Sequence, residues 1–198
     1  MARPKRIEGE PSALERMEGA FWELLAQTPF EKMTCKELRA RAGVSHNTFY
    51  YHFESMEDMA ARMFKRMAVP QVPVALMAVM AGDQGTVAAM TDALPDFPVR
   101  FQRMRLLAGS GSPFLIGLLQ EAVLGAWMAA VGVTEADLSS DDQADLAFAF
   151  GGFISLLGSD VAQDPAAITS FTRRELGQGL LGTMRRIAAK KPGVEPSA

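Results

Sequence analysis

Apolar residues recur three or four positions apart along most of the chain, and proline, glycine and cap residues break the pattern between them. Alternating β-branched runs closed by tight-turn pairs, the mark of strands, are missing from the sequence. The pattern predicts an all-α protein with helices at roughly 12–27, 34–41, 45–52, 55–69, 73–81, 84–94, 96–108, 112–131, 139–162 and 165–190. Ser12 with Glu15, Thr34 with Glu37, and Ser140 with Gln143 fit capping boxes. In each, a hydroxyl accepts a free backbone N–H and the later side chain reaches back. Ser112-Pro113 and Asp164-Pro165 place a cap residue before a proline at the first helical position. Thr28-Pro29, Pro70 to Pro73, Leu94-Pro95 and Gly109 to Gly111 interrupt the pattern elsewhere.

The stretch from Met33 to Met59 carries the most information. Thr34 caps a short helix, Ala42-Gly43-Val44 forms a three-residue turn, and Ser45 caps the next helix. Gly43 suits that turn, since a tight helix–helix corner needs one residue with positive φ. Two short helices so joined are a helix-turn-helix, whose second helix enters the DNA major groove. On that second helix Phe49 and Phe53 lie four apart and face inward. Asn47 and Tyr51 lie on the opposite side, flanked by Thr48 and Tyr50, and His46 sits in the first turn. Every outward side chain can hydrogen-bond, whereas an ordinary solvated helix would carry more Lys and Glu.

The run Ala42-Gly43-Val44-Ser45, then Thr48-Phe49-Tyr50-Tyr51-His52-Phe53, then Ser55-Met56-Glu57-Asp58, resembles the signature of the TetR family of transcriptional regulators. Phe21, Leu24, Leu25 and Phe30 agree with the apolar positions upstream. The resemblance covers roughly residues 10–60. It implies that Thr34, Thr48 and Tyr50 hold phosphates, and that Ser45, His46, Asn47 and Tyr51 approach phosphates or bases. Lys36, His52 and a basic arm of Arg3, Lys5 and Arg6 complete the expected DNA-binding set. Alternatively, Thr34 and Ser45 serve as helix caps only, Tyr50 or His52 packs against the first helix, Lys36 and Arg39 are plain surface charges, and the arm is a solubilising tail. One departure stands out: Met56 occupies a position where the family commonly has a phosphate-binding lysine.

These readings divide the chain at about residue 68. Residues 1–68 form a helix-turn-helix domain with three helices and an N-terminal arm, 69–191 a larger helical domain for ligand binding and dimerisation, and 192–198 a disordered tail. In the second domain, glycines at 151, 152, 158, 177, 179 and 182 interrupt two long apolar helices, and repeated small residues suggest close helix approach. The resemblance implies that this final pair meets its copy in a four-helix bundle, and Phe153, Leu157, Leu180 and Met184 are the expected dimer contacts. Gly177 to Gly182 matches G-x-G-x-x-G, but inside a helical pattern with no strand before it, so it is not read as a nucleotide site. The 13 methionines include a central group with several aromatics. Phe101, Met104, Phe114 and Trp127, with the polar pair Gln120 and Glu121, are the candidate lining of a pocket for a small, mostly apolar inducer. The same residues also serve as ordinary core.

Composition narrows the classes further. The net charge is −3, yet residues 1–66 hold 11 Lys and Arg against 10 Asp and Glu while the remainder hold 9 against 13. The lone cysteine, Cys35, excludes an internal disulfide and suits a reducing cytoplasm. The basic start lacks a following apolar stretch, so no signal peptide is expected. Phe114 to Val133 is long enough to span a bilayer, but Gln120 and Glu121 near its centre favour a core helix and no membrane. The only histidines, His46 and His52, share no metal-binding face, and no nucleophile motif occurs. Neither catalysis nor a cofactor is therefore expected. The sequence reads as a homodimeric repressor that binds a palindromic operator in double-stranded DNA and is released by an inducer. The alternative is a regulator acting through a protein partner or as an activator, without an inducer.

Overall fold

The computed structural model describes residues 11–67, 96–164 and 173–190, with positions 85, 167, 170 and 171 between them. Its helices are α1 (Ala13–Leu25), α2 (Cys35–Ala42), α3 (His46–His52), α4 (Met56–Met67), α5 (Phe97–Ala108), α6 (Pro113–Val131), α7 (Ser140–Gly158) and α8 (Glu175–Ala188). There is no strand among the described residues, and the protein is all-α as its periodicity predicts. The helices expected at 73–81 and, but for position 85, at 84–94, the arm with Arg3, Lys5 and Arg6, and the tail lie outside the described residues.

The chain forms two compact units, Met1–Met63 and Phe64–Ala198, with the division inside α4. In the first, Ser12 caps α1 in a full capping box with Glu15. α1 buries Met17, Phe21, Leu24 and Leu25 and packs against α2, which contributes Leu38 and Ala42. Phe21 meets Trp22 edge to face at 5.3 Å and Phe30 at 6.2 Å. Such aromatic pairs add to the stabilisation that burial alone provides.

In the second unit α5, α6 and α7 pack on one another, and α8 packs on α7. α6 starts where Ser112 accepts the Leu115 N–H ahead of Pro113, as expected. Although almost wholly apolar, it buries a single stripe, Leu115, Leu119, Val123 and Trp127, at four-residue steps. Phe114, Glu121, Gly125 and Ala129 are exposed, so the expectation of a fully enclosed core helix holds for one face only. By length and composition it is the one described helix that satisfies the criterion for crossing a membrane. Core helices with such a buried stripe pass the same test.

Tertiary contacts corrected three sequence expectations. The helix expected over 139–162 ends at Gly158, where α7 meets the end of α5 so closely that a Cβ on Gly158 would lie 2.4 Å from the Ala108 carbonyl. A 3-10 turn, Asp160–Gln163, follows. The helix expected over 165–190 is interrupted at Arg174, whose extended backbone makes it the N-cap of α8. The third capping box falls one residue early, on Ser139 and Asp142 rather than Ser140 and Gln143. Of the expected dimer contacts, Phe153, Leu157 and Met184 are buried within the single chain and Leu180 is half-exposed. The glycines divide likewise. Gly158 is a crossing point, whereas Gly152, Gly179 and Gly182 face open space.

The early capping box has an electrostatic reason. Asp142 is 1% exposed and accepts the Ser139 N–H at 2.9 Å and its hydroxyl at 2.6 Å. Lys190, just beyond α8, also bonds it. Arg186 bridges Asp142 at 2.9 Å and Asp145 at 2.8 Å. A buried charge is tolerated when so paired, and the cluster ties the end of α8 to the start of α7. Lys190 first, then Ser139 and Arg186, hold the Asp142 carboxyl well below the usual carboxylate range, against the opposing effect of burial. Because the folded state binds this proton more weakly than the unfolded state, the stabilisation is complete above the ordinary value of 3.8 and fades as pH falls below it. The denaturation midpoint of the second unit should therefore fall on acidification below 3.8, and Asp142→Asn should flatten that dependence.

Gly158→Ala sets two effects against each other. Replacing a helical glycine gains about 1 kcal/mol, but here the new methyl meets backbone that cannot swing aside. A net loss of about 1–3 kcal/mol is expected by chemical denaturation. Gly125→Ala, with nothing within 4 Å of its added Cβ, should leave stability unchanged or raise it.

Candidate nucleic-acid interface

The turn between α2 and α3 is built by local chemistry. Thr34 caps α2, its hydroxyl oxygen accepting the Glu37 N–H at 3.2 Å while Glu37 accepts the Thr34 N–H at 3.1 Å. Gly43 then adopts φ 62 and ψ 39, the left-handed conformation expected of it. The Gly43 N–H reaches the Ala40 carbonyl at 3.4 Å and the Val44 N–H the Arg39 carbonyl at 3.1 Å. This Schellman pattern closes α2 and reverses the chain within three residues. Ser45 caps α3, accepting the Thr48 N–H at 3.1 Å, and its hydroxyl shares a second bond of 2.8 Å with the Thr48 hydroxyl. Thr34 and Ser45 are thus helix caps, whatever else they contact.

α3 is anchored by its inner face. Phe49 and Phe53 are buried with ring centroids 5.7 Å apart. The outer face carries His46, Asn47, Tyr50 and Tyr51, all exposed, with Tyr51 at 84%. The His46 ring lies 4.6 Å from that of Tyr50, and Tyr51 lies edge-on to His52 at 5.0 Å. Thr48 and His52 are half-buried at its margins. Lys36 is exposed on α2, whereas Arg39 turns back to the Cys35 carbonyl at 3.1 Å. Met56 is 7% exposed, so the side chain that replaces the family's lysine belongs to the core. At the start of α4, Asp58 instead accepts the Glu54 N–H at 3.0 Å and Arg62 at 2.8 Å.

One residue escaped the sequence reading. Arg16 of α1 reaches across to the Ala42 carbonyl at the helix-turn-helix corner. Its partner lies 26 residues away, and no local spacing announces the contact.

The candidate pocket residues scatter in exposure. Met104 and Trp127 are buried, Phe101 and Gln120 half-buried, Phe114 and Glu121 exposed. Trp127 stacks obliquely on Phe150 with centroids 5.8 Å apart, and Gln120 faces Gly151. Gln120 is half-buried and Glu121 exposed, an arrangement in which one of the two could orient a ligand while the other faces solvent. The Trp127 Nε1 and Arg105 Nε atoms are buried without a hydrogen-bond partner. Among the described residues no cluster of His, Cys, Asp and Glu is arranged to hold a metal ion.

A capped helix, a left-handed glycine corner and a second short helix with a polar-aromatic outer face constitute a helix-turn-helix DNA-binding module. Residues 20–63 match the sequence model of the bacterial regulatory proteins of the tetR family. Over this stretch the N-terminal module is similar to the regulators of that family. No curated protein matches the chain in sequence. Among solved structures, the TetR family repressor AlkX from Dietzia sp. strain DQ12-45-1b is 16% identical, with 91% of this chain and 99% of that one covered and a TM-score of 0.44.

Proposed function

We propose that the protein is a cytoplasmic, homodimeric transcriptional repressor that binds a palindromic operator and leaves it when a small, mostly apolar molecule enters the second domain. The observation that carries this reading is the outer face of α3, on which Asn47, His46, Tyr50 and Tyr51 are all exposed above a buried Phe49. Asn47 and His46 read base edges. Thr34, Lys36, Ser45, Thr48, Tyr50, Tyr51 and His52 hold the backbone or approach it, and Arg3, Lys5 and Arg6 supplement them. The domain limits follow the same reading, 1–68 for DNA and 69–191 for regulation and pairing. Two recognition helices in a two-fold dimer would meet major grooves about one turn apart, roughly 34–36 Å.

Selection of bound fragments from random DNA tests this reading, with an inverted repeat as the expected product. Asn47→Ala should relax specificity at one base pair by about 1–3 kcal/mol, while Tyr50→Phe should weaken all sequences alike. Recovery of no repeat, or unchanged specificity in Asn47→Ala, would overturn the assignment.

Pairing is supported by what α7 and α8 leave outside. Phe148 is 68% and Leu176 59% exposed, and the open glycines Gly152, Gly179 and Gly182 lie on the same two helices. A second copy would cover this surface. Since Met184 is buried, its replacement by Glu would unfold the chain before it tested dimerisation. Phe148→Glu is the cleaner variant, and should give a mass near 21.4 kDa by light scattering together with weakened operator binding.

The effector reading rests on the unsatisfied Trp127 Nε1 and Arg105 Nε. A buried donor without an acceptor costs about 1–3 kcal/mol, and a ligand carrying an acceptor would relieve that cost. Phe101, Met104, Phe114, Gln120 and Trp127 remain its proposed contacts. Compounds that raise the melting temperature should release operator from wild type more readily than from Trp127→Phe. If no stabilising compound releases DNA, regulation works without an inducer.

A further inference from the structure

We infer that Arg16 is a positioning residue for DNA recognition, setting the helix-turn-helix corner and the root of the N-terminal arm from one guanidinium group. The inference rests on the DNA-binding reading of α3 given above. Arg16 Nε donates to the Ala42 carbonyl at 3.0 Å and Nη1 donates to the Pro11 carbonyl at 2.8 Å.

The two acceptors are not arbitrary. The last carbonyls of a helix lack intrahelical partners. At the end of α2 the Schellman bonds occupy the Arg39 and Ala40 carbonyls. Arg16 takes the Ala42 carbonyl, adjacent to the left-handed Gly43 and three residues before the Ser45 cap. Its positive charge also complements the negative end of the α2 dipole. The corner from Ala42 to Ser45 is thereby held from α1 as well as from its own helix. The direction in which α3 leaves that corner decides where Asn47 and His46 point, and a recognition helix reads bases only in the correct register.

Pro11 is the second partner. It precedes the Ser12 cap of α1, whose own N–H is taken by Glu15 at 2.6 Å. The arm residues Arg3, Lys5 and Arg6 lie upstream of it, and Arg6 is five residues away, within about 17 Å when extended. A planar guanidinium with fixed donor directions can hold two carbonyls at once, which the point charge of a lysine holds less well. Arg16 so links three parts that approach DNA together: arm root, corner and recognition helix.

Three measurements on the full chain separate this role from its rivals: operator affinity per folded molecule, the salt dependence of that affinity, and hydrogen exchange at the Val44 amide. Arg16→Ala should lose about tenfold in affinity, and in a chain lacking residues 2–6, where no arm charge contributes, it should leave the salt slope unchanged, since no phosphate contact is removed. Val44 should exchange faster, and Arg16→Lys should recover part of both losses. Deleting residues 2–6 should weaken binding less in Arg16→Ala than in wild type, because the arm has already lost its tether. A salt slope lower by about 1 in that arm-deleted background would overturn the proposal in favour of direct phosphate contact. Unchanged affinity and exchange would reduce Arg16 to a surface residue, and equal arm-deletion effects in both backgrounds would remove the arm from its role. If Arg16→Ala does not fold, Arg16→Gln, which keeps one amide donor, replaces it. The exchange readout needs no DNA, so a failure of the operator reading is distinguishable from a failure of this one.

Discussion

The geometry of the DNA-binding module depends on a corner of three residues. Gly43 in the left-handed region lets α2 stop and α3 begin almost at once, and other residues in that conformation pay a steric penalty of about 1–2 kcal/mol. The corner alone does not orient α3. Phe49 and Phe53 anchor its inner face in the core, and Arg16 ties the last α2 carbonyl to α1. With backbone, core and a long-range hydrogen bond all acting on one short helix, its outer side chains have little freedom left. That suits a surface that must be presented to DNA already formed, because side chains ordered beforehand lose less entropy on binding.

The second unit solves a different problem, how to pack helices richer in apolar residues than their mutual contacts can enclose. α6 buries one stripe and exposes much of the rest, and α7 buries six apolar positions while Phe148 stands in solvent. The packing that does occur is close: at Gly158 two backbones touch without room for a methyl group. Where α8 closes on α7 the join is electrostatic at one end, through Asp142, and apolar elsewhere, through Leu181, Met184 and Ile187.

The helical layout, the caps of α1, α2, α3 and α6, the glycine corner and the inward pair Phe49 and Phe53 were all legible before any coordinates. Each depends on interactions within four residues, so spacing and side-chain chemistry report them directly. The family likeness was legible for the same reason, since the residues that carry it lie in one short run. The site face of α3 followed from periodicity as well, because a helix with two inward aromatics must turn the residues between them outward.

What went unread involved partners far along the chain. Asp142 rather than Gln143 completes the α7 cap because Lys190 and Arg186 converge on it from 44 or more residues away. α7 stops at Gly158 because the end of α5 crosses it there. Phe153, Leu157 and Met184 carried the right hydrophobic period for an interface, yet period reports that a face is apolar and not which neighbour covers it. The same limit hid Arg16, whose role is set by a carbonyl brought beside it only when α1 packs on α2. Local propensity and capping thus determined the elements and the outward face of α3. The choice of buried partner for each apolar stripe and each charge was left to tertiary packing, where contacts distant in sequence compete for the same surface.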